Sequence, residues 1–130
     1  MSDQQQIITV YGIPNCDTVK KSRAWLDAHA LAYTFHNFKK DGVTPALIET
    51  WLKNSDGDND WEALLNRKGT TWRGLDDVRK AGIVDAASAI ALMCEAASII
   101  KRPVLTIGNA QEQHSYVGFS EPLYQHIFKK

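Results

Sequence analysis

The sequence predicts an α/β fold in which a strand–helix–strand unit is followed by a helical insert, a β-hairpin and a last helix. Two runs rich in β-branched and aromatic residues, at 7–11 and 32–38, flank a segment of helical character. Two strands joined in this way by short connections are expected to pair in parallel, with a right-handed crossover. A second pair of short strands meets at Gly108-Asn109, a dipeptide typical of hairpin turns.

The first predicted strand, Ile7–Tyr11, ends where Gly12 and Pro14 break the β-rich run. Cys16 then opens a predicted helix that extends to about Ala30. The alternation of aromatic and polar side chains in Ala32–Phe38 predicts a half-buried second strand.

The insert, about residues 45–101, begins after a polar turn at 39–43. Thr44 is a typical N-cap, and Pro45 is favoured at the first position of a helix. Hydrophobic spacing predicts three further helices, over Trp61–Leu65, Leu75–Ala81 and Asp85–Ile100. The predicted hairpin strands follow at Pro103–Ile107 and Gln113–Phe119. Ser120 is a candidate N-cap for a final helix through Phe128.

The composition is that of one ordinary globular domain, which we assign to residues 1–130. The 15 Lys and Arg balance the 15 Asp and Glu, and this formal net charge of +0 argues against a general nucleic-acid binder. No run approaches the ~20 apolar residues that a membrane-spanning helix needs, and the polar N-terminus does not resemble a secretion signal. Two cysteines are too few for a secreted disulfide scaffold. We therefore expect a cytoplasmic, monomeric protein with reduced thiols.

Cys16 is the candidate reactive residue because it lies between the first predicted strand and the first predicted helix. Free backbone N–H groups and the positive end of a helix stabilise a thiolate at such a position. Lys20, one turn further along, adds positive potential, whereas Asp17 opposes it. The alternative interpretation is that Cys16 is a small apolar residue that fills the joint.

The loop around Cys16 has no Cys-x-x-Cys motif, since the residue three positions later is Val19. A dithiol mechanism within one loop is therefore excluded. Cys94 lies in a mostly apolar helical segment where a buried free thiol is common, so a resolving role is its less favoured interpretation. The histidines are scattered, and the acidic stretch 56–60 is not followed by the glycine and glutamate that a calcium loop requires. We expect no metal site.

Three segments of the chain carry a resemblance to a known family. They are Tyr11–Lys21 (YGIPNCDTVKK), Leu64–Thr70 (LLNRKGT) and Ile99–Val104 (IIKRPV). Together they resemble the motifs of the glutaredoxin-linked arsenate reductase family, especially its YffB-type members, and the resemblance covers essentially the whole chain. It implies a thioredoxin-like fold with a helical insert, which agrees with the element order predicted above.

The resemblance also implies roles for individual residues. Cys16 would attack the substrate, and Arg67 and Arg102 would bind its anionic group, a task that suits the bidentate guanidinium. For an arbitrary pair of arginines, surface solubility is the alternative interpretation. Pro103 matches the position of a cis proline beside the active cysteine, although composition alone favours an ordinary trans proline. The supporting residues of the predicted site are Asn15, Lys20 and Pro103.

Two positions depart from the arsenate reductase pattern. The third family arginine is expected just after Ser115-Tyr116-Val117, where this chain has Gly118-Phe119. The histidine that the family places shortly before the cysteine is Gly12 here. The loss of one cation and of one group that tunes the thiolate argues against efficient arsenate reduction. Arg73 is a candidate for partial compensation.

The sequence thus predicts a glutathione-dependent monothiol oxidoreductase. The Cys16 thiolate attacks a disulfide or mixed disulfide, and an external thiol resolves the adduct. We expect no bound cofactor, glutathione as the cosubstrate, and glutaredoxin or a protein disulfide as a further partner. The first alternative is an arsenate reductase linked to glutathione and glutaredoxin. The second is a non-catalytic interaction or regulatory module similar to the Spx regulators, although this chain lacks their Cys-x-x-Cys.

Overall fold

A computed structural model describes residues 6–55, 61–109 and 112–130, and its centre is a four-stranded mixed sheet. The strands are β1 (Ile7–Gly12), β2 (Thr34–Asn37), β3 (Val104–Gly108) and β4 (Gln113–Val117), in the spatial order β2-β1-β3-β4. β2 pairs in parallel with β1, and β3 pairs antiparallel with both β1 and β4. The predicted parallel unit and the antiparallel hairpin strands are therefore confirmed.

Helices follow β1 and β4 and form the connection between β2 and β3. Among the described residues they are α1 (Asp17–Ala28), α2 (Phe38–Asp41), α3 (Pro45–Lys53), α4 (Trp61–Leu64), α5 (Thr70–Arg73), α6 (Asp77–Ala81), α7 (Ala86–Glu95) and α8 (Glu121–Phe128). A 3₁₀ turn, Ala97–Ile99, follows α7. Helices α3 to α7 form the predicted insert; residues 56–60 of the loop before α4 lie outside the described part of the chain.

Local side-chain hydrogen bonds set where two of the predicted helices begin. The Thr44 hydroxyl accepts a hydrogen bond from the Leu47 N–H at 3.2 Å, and Pro45 occupies the first turn of α3. The Ser120 hydroxyl accepts from the Leu123 N–H at 3.1 Å at the start of α8. Both predicted N-caps are confirmed.

The first difference from the sequence prediction lies at the end of β2. The sequence predicts that Phe38 belongs to the strand and that a turn follows, but the chain forms α2 there. The Asn37 side-chain oxygen accepts a hydrogen bond from the Lys39 N–H at 3.0 Å and caps this helix. Phe38 is buried among the side chains of the insert. A local cap and one buried aromatic ring thus outweigh the alternating pattern.

The helix predicted over Asp85–Ile100 is wrong at its C-terminal end. It ends at Glu95, because Ala96 leaves the helical conformation with φ −137° and ψ 80°. The 3₁₀ turn then changes the direction of the chain and lets Ile100 form a bridge with Leu65, just after α4. The sequence prediction also omits α5, a single turn within the insert.

Two hydrophobic clusters hold the sheet and the helices together. One includes Leu26 of α1, Leu105 of β3 and Tyr124 of α8, each fully buried. The other forms around the insert and includes the buried Trp51 and also Val104 of β3. Successive side chains of a strand point to opposite faces, so β3 is covered on both of its faces. The residues that precede β3 are therefore held at a defined position.

The register of the sheet brings the ends of three segments together. Tyr11, near the end of β1, is paired with Val104, the first residue of β3. Val104 is paired on its other side with Val117, the last residue of β4. The loop from β1 to α1, the residues before β3 and the residues after β4 therefore meet at one end of the sheet.

Gly12 allows α1 to pack closely against the end of β1. A Cβ atom at Gly12 would lie 2.7 Å from Cγ2 of Val19, which is closer than two carbon atoms approach in folded proteins. Val19 is fully buried in the first turn of α1. A histidine at this position would therefore require a shift of the Val19 side chain or of α1.

Gly12→Ala is expected to lower the free energy of unfolding by about 1–3 kcal/mol, because the added methyl group overlaps the buried Val19 side chain. Urea unfolding followed by circular dichroism measures this change. Gly82→Ala is the matched control: Gly82 is exposed after α6, and an added Cβ would have no neighbour closer than 3.4 Å. The control is expected to change the unfolding free energy by less than about 0.5 kcal/mol. Equal losses in the two variants would contradict the packing argument.

Candidate active site

An open cavity of about 460 Å³ lies at the end of the sheet where these strands converge. Four segments line it: the start of α1, the residue after Leu65, the two residues before Pro103, and the connection from β4 into α8. The described lining residues are Cys16, Thr18, Asn66, Lys101, Arg102, Val117, Gly118, Phe119, Ser120 and Leu123. The charged members of this lining are both basic, so the cavity favours an anionic ligand.

Cys16 is the N-cap residue of α1, with an extended backbone (φ −105°, ψ 126°), and its side chain is half-buried. Partial burial alone raises the pKa of the Cys16 thiol. The N–H of Val19, the Arg102 guanidinium and the N–H of Thr18 act in the opposite direction, and together they hold the pKa of Cys16 below its ordinary value. The position at the helix start therefore favours a thiolate, as the sequence predicts.

Arg102 reaches the thiol from the segment that precedes β3. Its Nη1 donates a hydrogen bond to the Ser98 carbonyl at 2.6 Å and approaches the Ile100 carbonyl at 3.4 Å. Its buried Nε has no hydrogen-bond partner among the described residues. The Arg102–Pro103 peptide bond is cis, as the family resemblance implies. The Gly118 N–H donates to the Pro103 carbonyl at 2.8 Å and closes this side of the cavity.

Asn66 and Lys101 are lining residues that the sequence prediction misses. The Asn66 N–H donates to the Ile99 carbonyl at 2.8 Å, and the Lys101 N–H donates to the Leu64 carbonyl at 2.6 Å. These two bonds join the segment after α4 to the segment before β3 in an antiparallel arrangement. They bring both residues to the cavity. Both lie inside the motifs quoted above, but only this pairing identifies them as neighbours of Cys16.

Arg67 does not line the cavity in the described structure. Its Nη2 lies 3.5 Å from Oε2 of Glu62, and its guanidinium carbon lies 5.9 and 5.5 Å from the ring centroids of Trp61 and Trp72. The side chain is exposed, and it is not among the groups that shift the pKa of Cys16. The predicted anion-binding role of Arg67 stays a prediction. Arg73, at the end of α5, is also exposed and outside the lining.

Of the three supporting residues, Pro103 is buried next to the cavity, whereas Asn15 and Lys20 are exposed and outside its lining. The Lys20 N–H donates to the Cys16 carbonyl at 2.9 Å, which closes the first turn of α1. The contribution of Lys20 visible in the structure is thus from its backbone.

Cys94 lies on α7 and packs against the cluster around the insert. It is outside the lining of the cavity, and burial raises the pKa of its thiol. Within the described ranges, no three His, Cys, Asp or Glu side chains are arranged to hold a metal ion. Within the same ranges, none of the helices is long and apolar enough to cross a bilayer.

The family follows from comparison with known proteins. The model of the ArsC family matches residues 11–127, a span that contains every lining residue of the cavity. The chain belongs to the ArsC family. It is 37% identical over 122 residues to an uncharacterized protein from Haemophilus influenzae, with 94% of this chain and 99% of that protein covered. The predicted family and its thioredoxin-like fold are confirmed.

Solved structures of ArsC relatives agree with the fold. The structure of a YFFB protein has a TM-score of 0.79 at 40% identity, covering 92% of this chain and 96% of that one. An ArsC-related protein from Brucella melitensis has a TM-score of 0.68 at 43% identity, covering 95% and 96%. The relatives also include the global transcriptional regulator Spx 1 from Lactococcus lactis, which is 25% identical over 116 residues, with 88% of this chain and 84% of the regulator covered. The family thus groups reductase-related proteins with regulators.

Cys16 is expected to react with iodoacetamide faster than Cys94 at neutral pH. Only the thiolate reacts, so the rate rises with pH through the pKa of the thiol. The lowered pKa of Cys16 moves this rise to lower pH, and the raised pKa of Cys94 moves it to higher pH. Mass spectrometry of Cys94→Ser and Cys16→Ser over a pH series measures each thiol separately. Coincident profiles would sink the assignment of Cys16 as the reactive thiol.

Arg102→Ala is expected to raise the pKa of Cys16, because it removes a positive charge and a hydrogen bond that lower this pKa. Arg102→Lys keeps the charge but loses the planar fork, so an intermediate pKa is expected. Arg67→Ala is the matched control and is expected to leave the pKa unchanged, since Arg67 lies beside Glu62 and two tryptophans. The pH dependence of thiolate absorbance in the Cys94→Ser background gives each value. An unshifted pKa in Arg102→Ala contradicts the proposed contact.

Proposed function

We propose that this protein is a glutathione-dependent monothiol oxidoreductase with Cys16 as its nucleophile. Membership in the ArsC family supports a thiol-based redox function. The observation that carries the proposal is the Cys16 thiol itself, whose pKa is lowered next to Arg102 at the wall of an open cationic cavity. No second cysteine lines this cavity among the described residues. The adduct therefore needs an external thiol.

The proposed reaction has two thiol–disulfide exchange steps. The Cys16 thiolate attacks the glutathione sulfur of a mixed disulfide, a new Cys16–glutathione disulfide forms, and the other thiol leaves as a thiolate that takes up a proton. A second glutathione thiolate then attacks the glutathione sulfur of this adduct. Glutathione disulfide leaves, and the Cys16 thiolate is restored. The net reaction consumes one mixed disulfide and one glutathione, and it yields one thiol and one glutathione disulfide.

The size and charge of the cavity support a peptide thiol as the ligand. Its volume of about 460 Å³ falls in the range of roughly 300–1,000 Å³ that is common for small organic ligands. Glutathione carries two carboxylates, and the charged lining residues are Lys101 and Arg102. Val117, Phe119 and Leu123 supply apolar surface for the remainder of a ligand. An inorganic oxyanion would leave most of this space empty.

Arsenate reduction is the alternative enzymatic function, and two glycines disfavour it. Gly118 has φ +87°, and an added Cβ there meets no atom within 4 Å, so the place of the family's third arginine is open space. The place of the family histidine is Gly12, where a side chain would collide with Val19. The site therefore has one cation fewer for arsenate and no imidazole beside the thiol.

The similarity to Spx 1 favours a second candidate of a different class, a protein-interaction or regulatory module without turnover. The two candidates make different demands on Cys16. An enzyme needs a thiolate that exchanges repeatedly at neutral pH, whereas an interaction module does not.

The proposed exchange also suits the cytoplasm, where glutathione keeps thiols reduced and where glutaredoxin or a protein disulfide is a suitable partner.

Wild-type protein is expected to reduce a glutathione mixed disulfide of a small thiol with multiple turnovers, measured by coupling glutathione disulfide formation to NADPH oxidation through glutathione reductase. Cys16→Ser is expected to lose about 100-fold or more of this rate, because it removes the nucleophile. Cys94→Ser is the matched control and is expected to retain most of the rate. Arsenate with glutathione and glutaredoxin is expected to give a much lower rate.

Three outcomes would contradict the proposal, and two of them would favour another function. An active Cys16→Ser variant contradicts the proposed nucleophile. Rapid reduction of arsenate would favour the arsenate reductase alternative. The absence of turnover with every disulfide, in a folded protein whose Cys16 pKa is ordinary, would favour the interaction module.

A further inference from the structure

We infer that Lys101 binds an anionic group of the substrate, and that it makes the site selective for disulfides that carry a carboxylate. The inference rests on the proposed function, because it concerns the ligand of the same cavity. It separates two tasks within one basic dipeptide: Arg102 supports the thiolate, and Lys101 recognises the charge of the partner molecule.

Nη1 of Arg102 is already engaged without a ligand, whereas its buried Nε has no partner among the described residues. Its Nη1 is hydrogen-bonded to the Ser98 carbonyl at 2.6 Å, and the Ile100 carbonyl lies 3.4 Å away. Its guanidinium also stabilises the Cys16 thiolate by hydrogen bonding and by charge. A cation that is paired with the nucleophile has little net charge left for a distant carboxylate. Arg102 therefore contributes to the reactivity of Cys16 more than to the choice of substrate.

Lys101 is placed differently although it is adjacent in sequence. Its backbone is held by the hydrogen bond to the Leu64 carbonyl at 2.6 Å, so the side chain starts from a defined point on the cavity wall. The side chain is exposed, and its ammonium has no ion pair with any described residue. None of the described lining residues is acidic. Lys101 thus contributes to the cavity lining a cation that has no ion-pair partner among the described residues.

The rest of the lining explains why the charge must be on an organic molecule. Asn66 supplies an amide for polar contacts, and Val117, Phe119 and Leu123 supply apolar surface. A disulfide with a carboxylate and an apolar stem would match the ammonium and the apolar side chains at once. Near a protein surface, one such charge contact is expected to change the affinity or the association rate of the ligand by roughly fivefold to tenfold.

Two small disulfide probes test this inference through a single exchange with Cys16. The Cys16 thiolate attacks one sulfur of the probe and forms a mixed disulfide with it, while the S–S bond of the probe breaks. The other half leaves as a thiolate, or as a thione once it has taken up a proton from water, and its absorbance is followed. The anionic probe is 5,5′-dithiobis(2-nitrobenzoate), which carries two carboxylates, and the neutral probe is 4,4′-dithiodipyridine. Rates are measured by stopped-flow absorbance in the Cys94→Ser background, so that Cys16 is the thiol observed.

Lys101→Glu is expected to slow the anionic probe by roughly tenfold or more and the neutral probe by less than about twofold. The rate of Lys101→Gln with the anionic probe should lie between that of Lys101→Glu and that of the Cys94→Ser parent. Lys53→Glu is the matched control: it makes the same charge change at an exposed residue at the end of α3, outside the cavity, and should preserve the ratio of the two rates. The selectivity should shrink at about 1 M salt, where the screening length falls to about 3 Å.

Equal slowing of both probes in Lys101→Glu, or an equal change of the ratio in Lys53→Glu, would overturn the inference. These outcomes are distinguishable from failure of the proposed function. If the wild-type protein turns over a glutathione mixed disulfide but shows no Lys101-dependent selectivity, the role of Lys101 is wrong and the function stands. If the selectivity is present without turnover, Lys101 has the inferred role at a site that is not a glutathione-dependent reductase.

Discussion

The contact between the Arg102 guanidinium and the Cys16 thiol is the interaction around which the site is organised. Arg102 comes from the segment before β3 and is tied to the Ser98 carbonyl of the 3₁₀ turn. Cys16 comes from the other side, at the start of α1. Three features must be present together for this contact to form. They are the β1–β3 register, the change of direction after α7 and the close packing of α1 on Gly12. The reactivity of one thiol thus depends on elements from three parts of the chain.

The balance at Cys16 depends on how deeply the residue lies in the protein. Partial burial raises the pKa of the thiol, and deeper burial would cancel the effect of the helix N–H groups and of Arg102. Full exposure would let water screen those same groups. A half-buried position at the rim of an open cavity avoids both extremes. It also leaves the sulfur accessible to a second thiol, which a monothiol mechanism requires.

Much of the fold is predictable because it follows from local patterns. The parallel unit, the hairpin strands and the caps at Thr44 and Ser120 depend on residues that lie close together in sequence. The errors occur where distant contacts decide the conformation. Phe38 enters α2 because the insert buries it, and α7 ends at Glu95, ahead of the turn that brings Ile100 to Leu65. Hydrophobic periodicity contains no information about either contact.

From the sequence by itself come the order of the elements, the position of Cys16 at a helix start, the absence of a neighbouring thiol in its loop and the family resemblance. Only the tertiary structure decides which basic and polar side chains share the cavity with that thiol. Asn66 and Lys101 reach it, whereas Arg67 lies beside Glu62 and two tryptophans. The physical reason is that neighbouring side chains in an irregular segment point in different directions. Backbone hydrogen bonds from Asn66 to Ile99 and from Lys101 to Leu64 set these directions. Each of the two bonds joins residues that are distant in sequence.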